Sequence, residues 1–301
     1  MATSLESIRD ILVCPVSRQP FTSIEGTTAY CATSETTYSA AEDGIPDFRL
    51  QQSVDVSTTH QIGAPLAHLE DLTFEPLSMR QEVEVDYSSI QVPFHFTKEL
   101  LSHIPKANQT GARVLDLGCG NGLHQPLCEQ AGYEYVGIDY GDPGAPMFAD
   151  AHRLPFADES FDFVMSMAVL EHLQFPFVAM QEVRRVLKPG GVFLGTVAFL
   201  EPFHGNSYFH HTHMGTLNSL VQGGLEVEFV CPSTEWGVLE AQAAMGLFPR
   251  VPSWISKLIL LPVKLLHRLW FQLGRLAGRN ASEHERIRTT TGSFYFRAHK
   301  P

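Results

Sequence analysis

The chain is poor in cysteine and in charged residues, and its first residues include no apolar run. Only 18% of its 301 residues are charged and 44% are hydrophobic, which excludes a disordered or fibrous protein and indicates an ordinary globular one. The cysteines are few and lack the spacing of a disulfide framework: Cys14, Cys31, Cys119, Cys128 and Cys231. The opening MATSLESIRD has neither a basic nor an apolar region, so we expect no secretory signal. A reducing, cytoplasmic setting is therefore expected.

Positive charge is also scarce. Lys and Arg number 21 against 33 Asp and Glu, which gives a net charge of −12. Affinity for nucleic acid comes from neutralising phosphates with Lys and Arg, so we expect no nucleic-acid partner. The shortage is uneven, because residues 250–301 hold ten Lys and Arg against two Glu. We therefore expect the basic C-terminal part and the acidic remainder of the chain to contact different surroundings.

The length suits one large domain and one small one. Residues 1–50 contain short strand-like pieces separated by turn residues, which predicts a small ribbon-like domain. Residues 51–78 begin with a polar stretch that has no periodicity and contains Gly and Pro, which predicts a linker. The large domain is expected over 79–301.

Short apolar runs alternate with helical stretches from residue 112 onward, a pattern typical of a parallel sheet with crossover helices. The expected strands are 112–118, 133–139, 161–167, 191–199, 225–231 and 293–300, with a short one ending near Phe148. A helix is expected over 178–191, and Thr212 is a good N-cap for another. The sequence thus predicts an α/β fold with a doubly wound, Rossmann-like sheet of seven strands and a helical insertion over about 238–288 before the last strand.

A glycine-rich turn follows the first of these strands in VLDLGCGNG, residues 114–122. Gly118, Gly120 and Gly122 allow a backbone to approach a ligand closely at the carboxyl end of a strand, where open α/β sheets bind ligands. A dinucleotide-binding turn would place its third glycine one residue later, which disfavours a nicotinamide-dependent oxidoreductase. Asp116, just before the turn, can accept a hydrogen bond from a cationic amino group.

Two further carboxylates follow at later strand ends. Asp139 ends the next strand, where a carboxylate can accept both ribose hydroxyls. Asp150, in FADAHRLPF, can accept a hydrogen bond from the exocyclic amine of adenine. No phosphate-binding lysine accompanies them. The residues therefore predict an adenosyl ligand that is not a nucleotide.

These segments resemble the class I S-adenosylmethionine-dependent methyltransferases, of the small-molecule type 11 family. The matching runs are VLDLGCGNG, VGIDY, ADAHRLPFADESFDFVMSMAVLEHL and RRVLKPGG, in family order over roughly 112–199. The resemblance implies methyl transfer from S-adenosylmethionine by in-line displacement, with S-adenosylhomocysteine as product. It implies that Asp116, Gly118 and Gly120 hold the methionine part of the cofactor.

The same resemblance implies that Asp139 binds the ribose and Asp150 the adenine, with the Ala151 amide beside it. Met167 would line the cofactor through its backbone. The full expected set is Asp116, Gly118, Cys119, Gly120, Asp139, Tyr140, Asp150, Ala151 and Met167. One departure is the short link between Asp139 and Asp150, which is too rich in Pro and Gly for the crossover helix usual there. We expect a more open adenine pocket.

Histidines supply the candidates for removing a proton from an acceptor hydroxyl, although alignment of the reactants can suffice without a base. Most lie in EPFHGNSYFHHTHMG, residues 201–215, directly after a strand of the sheet. The candidates are His172, His204, His210 and His211. The alternatives for this stretch are a polar loop and a metal site, and we expect no metal because no carboxylate is spaced with the histidines.

Residues 253–278, SWISKLILLPVKLLHRLWFQLGRLAG, are the most apolar part of the chain. On an ideal helix Lys257, Lys264, Arg268 and Arg275 lie within about 40° of one another. Pro262 predicts two shorter helices, and four charges argue against a membrane span. The segment suits either a helix in a membrane interface or a lid over the acceptor pocket. Both readings imply a partly apolar acceptor.

Two interrupted zinc knuckles lie near the N-terminus, Cys14-x-x-Ser17 and Cys31-x-x-Ser34. With LVCPVS and DGIPDF, residues 8–48 resemble the ribbon domain of the tRNA-methyltransferase activator family. Two cysteines alone cannot hold zinc tightly, because a serine hydroxyl is a poor ligand. We therefore expect a ribbon kept by its own small core, serving as a docking or pocket-covering module.

The sequence as a whole predicts an S-adenosylmethionine-dependent methyltransferase that acts on a small or lipid-like acceptor at oxygen. A pseudoenzyme or interaction module that binds the cofactor and acts through a partner protein stays open as an alternative. The identity of the acceptor, the oligomeric state and membrane association are open as well.

Overall fold

A computed structural model describes residues 4–58, 74–202, 205–234, 236–279 and 281–301. Residues 59–73 of the predicted linker and the candidate base His204 lie outside these described residues.

The N-terminal part forms a three-stranded antiparallel sheet of β1 (Ser23–Glu25), β2 (Thr28–Cys31) and β3 (Thr36–Tyr38). Its buried side chains include Ile24, Tyr38 and Phe48, which belong to the same apolar cluster as residues of the large sheet. This small sheet is therefore packed onto the rest of the protein and shares its core.

The large sheet contains six strands in the order β5-β4-β6-β7-β9-β8. They are β4 (Arg113–Leu117), β5 (Glu134–Ile138), β6 (Phe161–Met167), β7 (Leu187–Ala198), β8 (Glu226–Pro232) and β9 (Ser293–His299). Strands β4 to β7 run parallel, and β9 pairs antiparallel with β7 and β8. The chain adds β5 on one side of β4 and then crosses to β6 on the other. The carboxyl end of β4 is thus the switch point at which such sheets bind ligands.

The sheet of the described residues counts six strands where the sequence predicts seven. The difference lies at Phe148, which forms only isolated bridges with Asp47 and Asp139. The preceding stretch, 141–147, contains two prolines and two glycines, which disfavour a regular strand. As predicted, no helix forms between Asp139 and Asp150.

Seven α-helices occur in the described residues: α1 (Lys98–Ser102), α2 (Gln125–Gln130), α3 (Pro176–Val186), α4 (His213–Gln222), α5 (Val238–Ala241), α6 (Ser253–Leu276) and α7 (Glu283–Thr290). The helix predicted over 178–191 ends earlier, because β7 already begins at Leu187. The Thr212 side chain accepts a hydrogen bond from the Gly215 amide and caps α4, which confirms the predicted N-cap.

The prediction of two helices separated by Pro262 is wrong, since α6 runs through it for 24 residues. Pro262 removes the amide that would bond to the carbonyl of Leu258. Both residues are exposed, so water can satisfy that carbonyl. Leu and Lys neighbours with good helix propensity favour one continuous helix.

Helix α6 packs mainly against α5, α7 and the π-helical turn Gln242–Leu247. Its contact side includes the buried Ser256 and Leu260, and most of the remaining surface is exposed. Among the described residues no helix is both long and apolar enough to cross a bilayer.

Candidate active site

The turn after β4 is built from three glycines with left-handed backbone, Gly118, Gly120 and Gly122, at φ of +72°, +53° and +79°. A Cβ atom on Gly118 would lie 2.4 Å from Cγ2 of Val169, so only glycine fits there. At Gly120 the nearest atom to a Cβ would be a carboxylate oxygen of Asp142, 3.7 Å away. The turn is therefore tightly packed against Val169 at Gly118 and has free space beside Gly120. This space fits a ligand that lies across the backbone of the turn.

Asp139 ties this turn to the end of β5. Its Oδ2 accepts a hydrogen bond from the Gly120 amide at 3.0 Å. Its Oδ1 accepts bonds from the amides of Gly141 and Asp142, each at 2.9 Å. The side chain is half-exposed, so it can also reach a ligand. One carboxylate thus fixes two backbone turns that border the predicted ribose position.

Asp150 and His152 form the next polar pair along the chain. Oδ1 of Asp150 accepts bonds from the His152 amide at 2.9 Å and from its Nδ1 at 2.6 Å. Burial raises the pKa of Asp150, but the His152 hydrogen bonds outweigh this and lower it. The carboxylate therefore stays ionised and available as an acceptor.

The other predicted cofactor residues differ in exposure. Cys119 and Met167 are buried, Ala151 is half-buried and Tyr140 is exposed. Burial, followed by the nearby carboxylates of Asp116 and Asp139, raises the pKa of the Cys119 thiol. Seven of these nine residues lie on or just after β4, β5 and β6, at the carboxyl edge of the sheet, whereas Asp150 and Ala151 lie in the loop between β5 and β6. The roles of all nine stay predictions.

Asp116 precedes the glycine turn, and its predicted role in holding the methionine part of the cofactor stays a prediction. It is fully buried, and its carboxylate lies 3.0 Å from Nδ1 of His124 and accepts the hydroxyl of Tyr135 at 2.8 Å. The sequence analysis did not single out either partner. The only available signal was the position of His124, two residues after Gly122. The carboxylate of Asp116 therefore already has two polar partners within the protein.

A second histidine outside the predicted set lies beside the same turn. Nε2 of His95 is 2.8 Å from Nε2 of His124. His95 precedes α1 and is half-buried between Phe94 and Phe96. Sequence reasoning missed this pair because the partners are 29 positions apart.

Residues 46–49, which follow the small N-terminal sheet, brace the loop between Asp139 and Asp150. Phe148 donates its amide to the carbonyl of Pro46 and accepts from the amide of Phe48, both at 2.8 Å. Arg49 donates to the Tyr140 carbonyl at 3.1 Å, and its guanidinium lies 4.7 Å from the centre of the Phe148 ring. A cavity of about 410 Å³ opens where the two parts meet.

We expect Arg49→Ala to weaken S-adenosylmethionine binding about three- to tenfold, because the adenosine-side loop loses a hydrogen bond and a cation–π contact. Isothermal titration calorimetry would measure the change. Arg9→Ala is the matched control, since Arg9 only makes an exposed ion pair with Glu6. Equal affinities of the two variants would contradict the bracing role.

Three of the four candidate bases lie in described residues. His211 is buried with Nε2 3.2 Å from the Leu170 carbonyl, and this burial lowers its pKa. Nδ1 of His172 lies 3.1 Å from the Asn206 carbonyl, and His210 is exposed. Their proposed roles stay predictions. Within the described ranges no three His, Cys, Asp or Glu side chains come together as metal ligands.

The interrupted knuckles do come together. Sγ of Cys14 lies 3.2 Å from Oγ of Ser34, and Oγ of Ser17 lies 3.3 Å from Sγ of Cys31. Burial alone would raise the pKa of Cys31, but hydrogen bonds from Ser17, Ser34 and the adjoining backbone lower it to about 7. Each cysteine of one knuckle therefore lies beside the serine of the other knuckle.

Comparison with protein families matches residues 115–195 to a family described as a methyltransferase domain. This match confirms the predicted methyltransferase domain, with S-adenosylmethionine as its cofactor, and favours an enzyme over a binding module.

Curated relatives include the ubiquinone biosynthesis O-methyltransferases of Ruegeria sp. (strain TM1040) and Dinoroseobacter shibae. They are 30% and 31% identical over 159 and 160 residues, which cover 47% and 48% of this chain. In both cases the match spans 63% of the relative, so less than two thirds of its length. Among solved structures, a chain in the complex of the Haloferax volcanii Trm112 methyltransferase activator with a methyltransferase gives a TM-score of 0.44 at 22% identity. That match covers 68% of this chain and 87% of the other.

Proposed function

We propose that this protein transfers a methyl group from S-adenosylmethionine to a hydroxyl oxygen of a lipid-like acceptor at a membrane surface. The observation that carries the proposal is the glycine turn at the switch point of the sheet, where the Asp139 carboxylate accepts a hydrogen bond from the Gly120 amide. A turn with free space over its backbone and a carboxylate at the next strand end fits an adenosyl ligand.

When bound, S-adenosylmethionine supplies an electrophilic methyl group on a sulfonium, so the cofactor carries the reactivity. The chain has to hold the cofactor, align the acceptor and exclude water. The turn at 118–122 and the carboxylates of Asp139 and Asp150 would hold it. The acceptor would lie beyond Met167, against the turn Leu170–His172. Within this turn the carbonyl of Glu171 accepts hydrogen bonds from the amides of Tyr208 and Phe209.

Oxygen as the methylated atom is supported by the names of the curated relatives, which are O-methyltransferases of ubiquinone biosynthesis. A lipid-like acceptor fits the large exposed apolar surface of α6. Eleven large apolar side chains of this helix are exposed, among them Leu266 at 67%, Trp270 at 63% and Leu276 at 83%. Soluble proteins rarely leave so much contiguous apolar surface uncovered.

The occupant of this apolar surface is an anionic bilayer. Helix α6 is about 36 Å long, and the side against the protein is mixed, with Ser256, Leu260 and Lys264 on it. Most of the large apolar side chains of the helix face outward. Lys257, Arg268 and Arg275 border the apolar side, where they can meet lipid phosphates. The acidic remainder of the chain would be repelled by the same surface, which orients the protein with α6 toward the membrane.

We expect Leu266→Asp/Trp270→Asp to reduce binding to phosphatidylglycerol vesicles by about a hundredfold, since two large side chains can no longer enter the interface. Vesicle sedimentation measures this. Met79→Asp/Val83→Asp changes two exposed apolar residues outside α6 and serves as the matched control. Unchanged vesicle binding by the α6 variant would contradict membrane contact.

We further propose that the N-terminal module covers and braces the cofactor pocket, as the predicted ribbon would. The contacts of Pro46, Phe48 and Arg49 with the loop around Phe148 support this role.

The activity is tested with methyl-labelled S-adenosylmethionine and hexyl-catechol, a phenolic probe with an apolar tail, in the presence of vesicles. Labelled ether in the organic extract supports the proposed function. Micromolar cofactor binding without turnover on any phenol of a panel would support the interaction module instead. Failure to bind the cofactor in calorimetry would contradict both.

A further inference from the structure

We propose that a small cavity between α5, α6 and α7 binds the phosphate group of an anionic membrane lipid. The proposal rests on the proposed function, because it names the lipid headgroup that α6 would meet at the membrane surface. The cavity has a volume of about 130 Å³. A cavity of about 150 Å³ can hold a benzene molecule, so this one has room for a phosphate group.

The charged side chains that line the cavity are mostly positive. Two of the cations, Lys264 and Arg268, come from α6, and a third, Arg286, comes from α7. Glu240 of α5 is the only carboxylate among the described residues that line the cavity. The planar guanidinium of arginine can donate two parallel hydrogen bonds to phosphate oxygens. Although the chain carries a net charge of −12, this lining therefore favours an anion.

The donors of these cations are only partly used within the protein. Nζ of Lys264 forms an ion pair with Glu240. Arg286 donates to Glu283 from Nε, at 2.9 Å, and from Nη2, so its Nη1 is left for a ligand. The exposed side chain of Arg268 forms no ion pair or hydrogen bond with any residue that the structure describes. Arg268 is therefore the main free donor at the rim of the cavity.

Electrostatic effects show that these cations act on one small region. The hydrogen bond from Arg286 lowers the pKa of Glu283, and the charges of Arg286 and Arg268 add to this effect. Burial, followed by the charge of Arg286, lowers the pKa of His267, which also lines the cavity, and Glu283 opposes this shift. A neutral imidazole keeps one ring N–H that can donate to an anion. An anion between Arg268 and Arg286 would thus meet two guanidinium groups and an imidazole donor.

The rim of the cavity adjoins the apolar side of α6. Residues three and four positions apart are neighbours on a helix, so Arg268 lies between Lys264, which lines the cavity, and Leu265, which is 54% exposed. Leu261, four positions before Leu265, is exposed as well. A lipid with its phosphate in the cavity can therefore place an acyl chain along Leu261 and Leu265. Free inorganic phosphate would use only the polar part of this surface, so the arrangement favours a lipid.

Monomeric dihexanoyl phosphatidylglycerol, below its micelle concentration, tests the cavity without a membrane. We expect calorimetric titration at low ionic strength to show one site with a dissociation constant below about 1 mM. Inorganic phosphate should bind at least about fivefold more weakly, because it lacks the acyl chains. Equal affinities for the two ligands would overturn the assignment to a lipid, and absence of binding would overturn the site itself.

Two exposed arginines provide a matched pair of variants. Arg268→Ala removes a cation of the cavity, whereas Arg279→Ala removes the same charge just after the end of α6 and outside the cavity. We expect Arg268→Ala to weaken binding of the monomeric lipid about tenfold, because hydrogen bonds to a charged group are lost, and Arg279→Ala to stay within about twofold. Circular dichroism checks that both variants fold. Equal losses in the two variants would indicate diffuse attraction to the basic region and would overturn the site.

The outcome for the cavity can be separated from that for membrane contact. If wild-type protein bound phosphatidylglycerol vesicles through α6 but did not bind the monomeric lipid, membrane contact would stand and the headgroup site would fail. If wild-type protein bound the monomeric lipid but no vesicles, the headgroup site would stand and the membrane part of the proposed function would fail.

Discussion

Asp139→Ala is expected to raise the dissociation constant of S-adenosylmethionine at least about a hundredfold, which corresponds to about 2.7 kcal/mol. The substitution removes the proposed acceptor of the ribose hydroxyls. It also removes the acceptor of the Gly120, Gly141 and Asp142 amides, so both turns beside the ligand lose their anchor. Hydrogen bonds to a charged group contribute about 1.5–3 kcal/mol each, so loss of the ligand contact alone is large. Calorimetric titration measures the effect.

Two variants separate the causes. Asp139→Asn keeps one oxygen acceptor without the charge, and we expect an intermediate loss of about tenfold. Asp55→Ala removes an exposed carboxylate that is distant from Asp139 in the sequence, and it should leave the affinity for S-adenosylmethionine unchanged. Wild-type affinity in Asp139→Ala would contradict the whole assignment of the cleft to an adenosyl ligand.

The large sheet and the cofactor edge could be predicted because their signals are local. A strand buried on both faces is rich in apolar residues, as β4 is in Val114, Leu115 and Leu117, and glycines with left-handed backbone mark the turn after it. Charges at strand ends also follow from the sequence once the strands are known. The position of Asp139 beside the turn was therefore predictable.

Features that depend on tertiary contacts were not predictable from the sequence. The partners of Asp116 come from β5 and from the start of α2, and nothing local indicates that they close over its carboxylate. The pairing of His95 with His124 joins two segments that have no common pattern. Helix α6 continues through Pro262 because Pro262 and Leu258 are exposed to water. The rule that proline ends a helix does not take this exposure into account. At Phe148 a short apolar run predicts a strand, but its only partners are single bridges.

The knuckle positions provide a test of whether the N-terminal fold still has the geometry of a zinc ribbon. Ser17→Cys/Ser34→Cys would place four thiols where the 3.2 and 3.3 Å contacts now join each cysteine to a serine. Four sulfurs at about 2.3 Å from zinc lie about 3.8 Å apart, so a small outward movement suffices. The Cys31 thiol, with a pKa of about 7, is already partly ionised at neutral pH, as a zinc ligand must be.

We expect this double variant to bind one zinc ion with a free energy on the order of 10 kcal/mol or more, whereas wild type retains none through dialysis against a mild chelator. Because zinc would bind only the folded ribbon, its addition should raise the thermal midpoint of the double variant by several degrees or more. Each single variant, Ser17→Cys or Ser34→Cys, provides only three thiols and should bind zinc at least about a hundredfold more weakly than the double variant. Zinc content is measured by mass spectrometry of the dialysed protein. A double variant that folds, as judged by circular dichroism, and holds no zinc would show that the four positions do not form a tetrahedral site.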